Sequence, residues 1–418
     1  MIATLIISAT AAEVFTYIGY ILIAILALMV MIVIHEFGHF LAGRLLGFKI
    51  DEFAIGFGPP IFKRKTKTGM QFSIRPFPVG GFCAFAGEDE DNPDPKAFNN
   101  QKPWKRLIVL FSGAFFNFVS AIIFISIFFM AYGQILPVIT SVDNAGTNSS
   151  SFEVGDVILA INGRQVNILM PEDLNNAFAK AGDQAVFKVL RKGNTEKINI
   201  SKHYYLPFED GDLVLSIDGV ELPENGRILA SEWLVSEDAM SAPVGTTKTF
   251  VLNRGDSQMS TSITKSVVEG EEGWYFYGFG VTRSIVMQKL GFFRAVGRSF
   301  GFSFFTVFKI LASLGALITG KLPLSSAGGT VTVVKTIAES TMVDFSNILY
   351  IIAIISANLA VMNLLPLPAL DGSRMLFCVI EWIRKKPINR KVEGVIHFVG
   401  LVVLLVFAVF LDVFHLIS

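Results

Sequence analysis

Cysteine is almost missing: Cys83 and Cys378 are the two in 418 residues. The two could in principle bind zinc, but neither has a neighbour at ligand spacing, and both read as packed thiols. The long middle segment, about residues 134–345, has none. If it faces an oxidising compartment, it folds without disulfides. Charge is also scarce, and it is balanced. Lys and Arg number 35 against 35 Asp and Glu, 17% of the chain together. A net charge of zero removes any bulk electrostatic case for nucleic acid. A basic n-region is lacking at the N-terminus, and the apolar stretch there outruns an h-region. A cleaved signal peptide is therefore not expected.

Apolar residues fill the space, at 52% of the chain. That is too many for an ordinary soluble protein. Four segments have the roughly 20 apolar residues needed to cross a bilayer. They run from about Phe15 into Leu46, from Leu107 to Tyr132, from near Phe345 through Leu365 toward Trp382, and from Val395 to Ile417. Basic residues gather in two places. Lys49, Lys63, Arg64, Lys65, Lys67, Lys102, Lys105 and Arg106 flank the loop after the first span. Arg384, Lys385, Lys386, Arg390 and Lys391 lie between the third and fourth spans. Positive loops stay cytoplasmic, which puts both termini and the middle segment on the other side. Phe292 to Gly320 is apolar too. Arg294, Arg298, Lys309 and Lys321 predict a helix lying in the interface there, and the parity of the basic loops agrees.

The middle segment repeats. Gly155-Asp156-Val157-Ile158-Leu159-Ala160-Ile161-Asn162-Gly163 is echoed by Gly211-Asp212-Leu213-Val214-Leu215-Ser216-Ile217-Asp218-Gly219. Each copy reads as a turn, a buried strand and a hairpin turn. The pair resembles tandem PDZ domains, which capture extended peptides by strand addition. A carboxylate-binding loop is clear in neither copy. His203, between them, reads as a surface histidine.

The chemistry is in the spans. His35-Glu36-Phe37-Gly38-His39 follows a run from Val14 to Ile34 without a charged residue. Histidines four apart share a helix face, so both imidazoles reach one zinc ion, with Glu36 as candidate general base. Ionisable groups inside a membrane cost on the order of 2.5–3.5 kcal/mol each, and usually persist for a function. The alternative is a satisfied polar cluster at a helix end. A third histidine does not follow at metzincin spacing. Asp371 is the candidate, in Asn363-Leu364-Leu365-Pro366-Leu367-Pro368-Ala369-Leu370-Asp371-Gly372. The prolines open the helix, and irregular backbone at membrane depth is tolerated where it lines a cavity. His397 and His415 read as packing or interfacial residues.

These motifs together resemble the site-2 protease family of intramembrane zinc proteases. Ile55-Gly56-Phe57-Gly58 and Pro78-Val79-Gly80-Gly81 add to the match, in a segment that forms a membrane-associated β-hairpin in that family. Ala114 and Gly329-Thr330 depart from it, at positions that usually carry proline and a Gly-Pro pair. The resemblance implies Zn2+ held by His35, His39 and Asp371, Glu36 as catalytic acid/base, and substrate contact by Asn358 and Asn363. It implies a bacterial inner-membrane enzyme with periplasmic PDZ domains and a zinc site toward the cytoplasm. Its substrate would be a single-pass membrane protein of the anti-sigma-factor type, already trimmed by a first protease. An exposed strand edge at Phe72, Ser73 and Ile74 could hold that substrate extended.

The expected layout is a multi-span α-helical membrane protein with an inserted β-rich pair. Residues 1–48 form the first span, 49–103 the cytoplasmic loop and 104–134 the second span. Residues 135–204 and 205–285 form the PDZ-like domains, and 286–343 the interfacial helix and linker. Residues 344–385 form the third membrane region and 392–418 the fourth span. The competing reading is a PDZ-bearing membrane scaffold with a non-catalytic metal. Glu36 argues against it, because a scaffold has no use for a carboxylate beside the ion.

Overall fold

Apolar sequence, uncharged from Val14 to Ile34, continues without proline through the first span, and it forms one 36-residue helix, α1 (Ala11–Leu46). The computed structural model describes residues 11–142 and 152–417, apart from 68, 89, 91, 209, 256 and 269. Two compact units result. One is Gln134–Gln288; the other joins the chain up to Gly133 with the chain from Lys289 onward.

In the helical unit, α2 (Pro103–Ala131) packs along α1. Proline at its first position suits a helix start, where the missing N–H has no partner to lose. Between the two helices stands a four-stranded sheet: β1 (Ile50–Phe57), β2 (Phe62–Lys65), β3 (Gln71–Ile74) and β4 (Phe77–Phe85). The order is β2-β3-β1-β4, with β1 and β3 parallel. The expected hairpin is thus part of a larger sheet. The strand-edge expectation needs correcting. Phe72 pairs with Phe53 on one side and Arg64 on the other, and Ser73 and Ile74 are likewise flanked by both strands. An interior strand has spent its backbone groups and offers no edge. Alternating side chains announce a strand but not its neighbours. Ser73 is fully buried and donates to Glu52, which also takes a hydrogen bond from Arg75 at 2.8 Å.

The inserted unit holds two sheets. The first comprises β5 (Gln134–Val142), β6 (Val157–Ile161), β7 (Arg164–Gln165), β8 (Gln184–Arg191) and β9 (Asn194–Ser201), with helix α3 (Pro171–Ala179) between β7 and β8. The second runs through β10 (His203–Tyr205), β11 (Leu213–Ile217) and β12 (Val220–Glu221). After helices α4 (Ala230–Leu234) and α5 (Glu237–Ser241) it adds β13 (Thr247–Arg254), β14 (Ser257–Val268) and β15 (Glu271–Gly278). The last strand, β16 (Val281–Gln288), leaves the second sheet and pairs with β5 along its whole length. The first sheet is therefore closed by a strand from the far end of the unit, and a boundary at residues 204/205 does not separate the sheets. Pairing across 139 residues (Val142 with Val281) to 154 (Gln134 with Gln288) leaves no trace in local periodicity. The repeat does have a shared device. Asp156 is gripped through both oxygens by Arg191, at 2.8 and 2.6 Å, and Asp212 by Arg254, at 2.7 and 2.5 Å.

After the insertion come α6 (Phe292–Ile318), α7 (Thr330–Val343), α8 (Asn347–Leu364), α9 (Asp371–Arg384) and α10 (Arg390–Ile417). Five described helices are long and apolar enough to cross a membrane: α1, α2, α6, α8 and α10. That is one more than the sequence suggested, because α6 passes the test despite its basic residues. Its course is informative. Phe302 of α6 meets Phe129 near the C-terminal end of α2, with rings 5.4 Å apart. Tyr350, in the first turn of α8, meets Phe128 at 5.3 Å and Phe302 at 6.0 Å. The chain thus leaves and rejoins α2 at the same end. Helix α7, at about 21 Å for 14 residues, is too short to cross a core of about 30 Å on the way back. It packs instead on α1, with Ile337 and Ala338 against Ala24.

Candidate metal centre

His35 and His39 lie on one face of α1, both buried, with ring centroids 4.7 Å apart. The third group comes from the far end of the chain. Helix α8 stops at Leu364, and Pro366 and Pro368 cannot continue it. The chain turns through Ala369, at φ +76°, and α9 begins at Asp371. Gly372 makes that turn possible, since a Cβ there would overlap the Leu365 carbonyl oxygen. The Asp371 carboxylate then reaches back to α1. Its Oδ2 is 3.0 Å from His35 Nε2 and 3.3 Å from His39 Nε2, and the two Nε2 atoms are 3.1 Å apart.

This donor set fits a zinc ion. His39 Nδ1 lies 2.8 Å from the Val109 carbonyl oxygen, to which it can only donate. A neutral His39 therefore carries its lone pair on Nε2, facing a carboxylate oxygen. His35 admits the same state. The buried Asn117 amide lies 3.4 Å from His35 Nδ1, and its oxygen is unpaired. Turning that amide puts the oxygen against Nδ1–H and frees Nε2. Three lone-pair donors then converge, all within 4.8 Å, and a cation resolves the conflict. The backbone leaves room for it. A Cβ on Gly113 of α2 would overlap His39 Nε2 and lie 2.6 Å from His35 Cε1. A Cβ on Gly38 would lie 2.5 Å from the Ser112 carbonyl oxygen. The two glycines let α1 and α2 touch beside the imidazoles.

Glu36 stands next to the three. Its carboxylate accepts a hydrogen bond from the Cys83 backbone N–H at 3.0 Å. Two cavities meet here. One, of about 490 Å³, runs from Glu36, His39 and Asp371 past Asp51, Glu88 and Arg374. Arg374, one turn beyond Asp371, pairs with Glu88 from the segment after β4. The other, of about 290 Å³, is lined by Ile32, His35, Asn117, Leu359 and Asn363. Burial, with Glu36 and Glu88 nearby, pushes the Cys83 thiol up. It is a neutral group and no nucleophile.

Not every expected residue arrives. Asn363 does, with its amide 3.3 Å from His35 Nδ1. Asn358 is exposed on α8 and lines neither cavity. Five residues on a helix turn through about 140°, so the two amides cannot share a face when α8 is unbroken between them. The break comes after Asn363. Phe72, Ser73 and Ile74 belong to an interior strand and line neither cavity. The edge beside the site is β4, whose Cys83 N–H points away from β1 to Glu36. Asn117 and Gly113 had no sequence-level role, although both lie within three residues of Ala114, the position where the family usually carries proline.

Residues 23–407 match the peptidase family M50, the site-2 protease family. The chain belongs to it. The protein is thus a multi-span membrane protease of a zinc-dependent family. Two clostridial relatives, each named "Putative zinc metalloprotease", are similar. The one from Clostridium perfringens is 28% identical over 92% of this chain and 95% of its own. The one from Clostridium acetobutylicum is 26% identical over 92% and 94%. The Regulator of sigma E protease of Haemophilus influenzae is 26% identical over 94% of this chain and 98% of its own. Such coverage means that family membership embraces the inserted unit as well as the helices.

Proposed function

We propose that this peptidase cleaves a peptide bond within the membrane-spanning segment of single-pass membrane proteins, with His35, His39 and Asp371 as zinc ligands and Glu36 as proton carrier. The observation that carries the reading is the approach of Asp371 Oδ2 to both imidazole Nε2 atoms, at 3.0 and 3.3 Å, in the wall of a polar cavity. Zinc held there supplies a Lewis acid that brings the pKa of water toward about 7 and stabilises a developing oxyanion. Glu36 takes the proton of the attacking water and delivers it to the leaving nitrogen. The Cys83 N–H fixes the Glu36 carboxylate for both transfers. Asn363, in the cavity wall beside His35, is placed to hold a substrate carbonyl.

A substrate helix hides its scissile carbonyl in its own hydrogen bonds, so it must be drawn out. The outward side of β4 suits that task. Cys83 faces the site there, and strand alternation turns the backbone groups of Gly81 the same way. An extended segment paired to this edge would lie beside Glu36.

The basic loops support a reading with β1–β4 and residues 384–391 in the cytoplasm, and the inserted unit in the periplasm of a bacterial inner membrane. The return of α6–α7 to the C-terminal end of α2 supports four crossings with the segment 286–343 held at one face. The repeated Gly-Asp strands support two PDZ-like modules, which select substrates by the size of the extramembrane part. The name of the Haemophilus relative supports a link to sigma-factor control; a substrate of the anti-sigma type, trimmed beforehand by another protease, fits that link.

Glu36→Gln tests the chemistry. Turnover of a transmembrane substrate in proteoliposomes should fall by roughly 10²–10⁴-fold or more, with zinc content unchanged. Full turnover, or loss of zinc together with activity, would remove Glu36 from the proposed role.

A further inference from the structure

The turn that delivers Asp371 is short of donors. Pro366 and Pro368 have no N–H, and the N–H groups of Leu367 and Leu370 are used inside the turn, on Leu365 and Leu367. The Ala369 N–H points outward, and it donates to His397 Nδ1 of α10 at 3.0 Å. Ala369 is also the residue forced to φ +76°, a left-handed conformation that a non-glycine residue keeps only where its surroundings impose it. One helical turn beyond His397, Gly400 shares its face. A Cβ on Gly400 would overlap Pro368 Cβ and lie 2.9 Å from the Pro368 carbonyl carbon. The backbone of α10 thus rests on the turn. The His397 ring also stands edge-on to Phe377 of α9, with centroids 5.7 Å apart. One side chain therefore touches the segment on both sides of Asp371: the turn before it and the helix after it.

We infer that His397 is a positioning residue for the metal centre. By accepting the Ala369 N–H it sets the turn that aims Asp371 Oδ2 at His35 and His39. The inference rests on the reading of those three residues as zinc ligands. His397 does not join the ligand group itself. It acts through two residues of backbone, which is why a histidine inside an apolar span looks like packing when read alone. Its Nδ1 accepts from the one N–H between Pro366 and Leu370 that the turn does not satisfy internally.

The test uses the full-length enzyme, with zinc retention against a competing chelator, the visible spectrum of the cobalt-substituted protein and turnover as readouts. His397→Phe keeps the ring contact with Phe377 and removes the acceptor. Zinc retention should weaken by roughly 10–100-fold, and the cobalt bands should change in position and intensity. His397→Asn restores an acceptor at the same distance from the backbone and should recover most of both. Gly400→Ala leaves the bond in place but pushes on Pro368, and should weaken zinc retention in the same direction. Wild-type zinc retention and spectrum in His397→Phe would overturn the inference. So would a His397→Asn protein as defective as His397→Phe, because the ring and not the bond would then matter. Should His397→Phe fail to fold, Gly400→Ala decides, and wild-type retention there overturns it. Asp371→Ala separates the two levels. If that protein keeps zinc like the wild type, the ligand reading has failed, whatever His397 does.

Discussion

Gly113 carries no side chain, and the site depends on that. Its Cα hydrogens face two imidazoles at a spot where one methyl group would collide with His39 Nε2. Gly113→Ala should leave a protein that inserts and folds, since alanine favours a helix. Zinc retention should nonetheless drop by tenfold or more, through displacement of the ligand atoms, on the scale seen when neighbours of metal ligands change. Equilibrium dialysis against a chelator reads this directly, and undiminished affinity would mean that the imidazoles can shift freely. At this scale much was legible. His35, Glu36 and His39 follow from helical spacing in an uncharged run, and Asp371 from an acid among helix breakers. Gly113, Asn117 and His397 were not legible, because their roles depend on which helix faces which. A glycine in an apolar helix signals a close approach without naming the partner.

Among the elements, β4 has the most specific task. It contacts α1, closes one side of the sheet and presents the Cys83 N–H to Glu36. Strand β3 is locked between β1 and β2, and Arg75 pins it further by donating to the Gly58 carbonyl at 2.7 Å. A photo-crosslinker in place of Val79 on β4, which is 61% exposed, should label a substrate trapped on the Glu36→Gln enzyme. The same group at Phe72 on β3 should not. Labelling at Phe72 alone would move the docking edge away from β4. Glycine, proline and alternation predict strands in this region, and strands form there, but the one named as an exposed edge, β3, is interior. Register and sheet order are set by pairing partners, and a parallel β1–β3 pair joined through β2 is not written in any single strand. The break between α8 and α9 was legible, because two prolines and Gly372 each have a local consequence.

For the whole molecule, the insertion between α2 and α6 is built to be removed as a piece. Strands β5 and β16 run antiparallel, and Val142 is the register partner of Val281. Replacing residues 143–280 by a short Gly-containing turn should leave a β5–β16 hairpin and the helical unit intact. That protein should retain zinc and should cleave substrates whose extramembrane part has not been trimmed, whereas the full-length enzyme should reject them. Continued rejection of untrimmed substrates, with zinc and activity on trimmed ones preserved, would refute selection by the inserted unit. The long-range features of this architecture were the least legible. The repeated Gly-Asp strands revealed two similar modules, yet β16 closes the first from beyond the second. The course of α6, apolar enough to cross yet returned by α7 to its starting end, is decided by the Phe129–Phe302 and Phe128–Tyr350 contacts and not by composition.

The account as a whole depends on one ion being shared between α1 and the start of α9. Zinc-edge X-ray absorption of the purified full-length enzyme, compared with Asp371→Ala, measures that directly. The predicted result is a wild-type zinc with two imidazole ligands and carboxylate oxygen, and loss of zinc or of the carboxylate oxygen in the variant. A zinc environment identical in both proteins at full occupancy would contradict it.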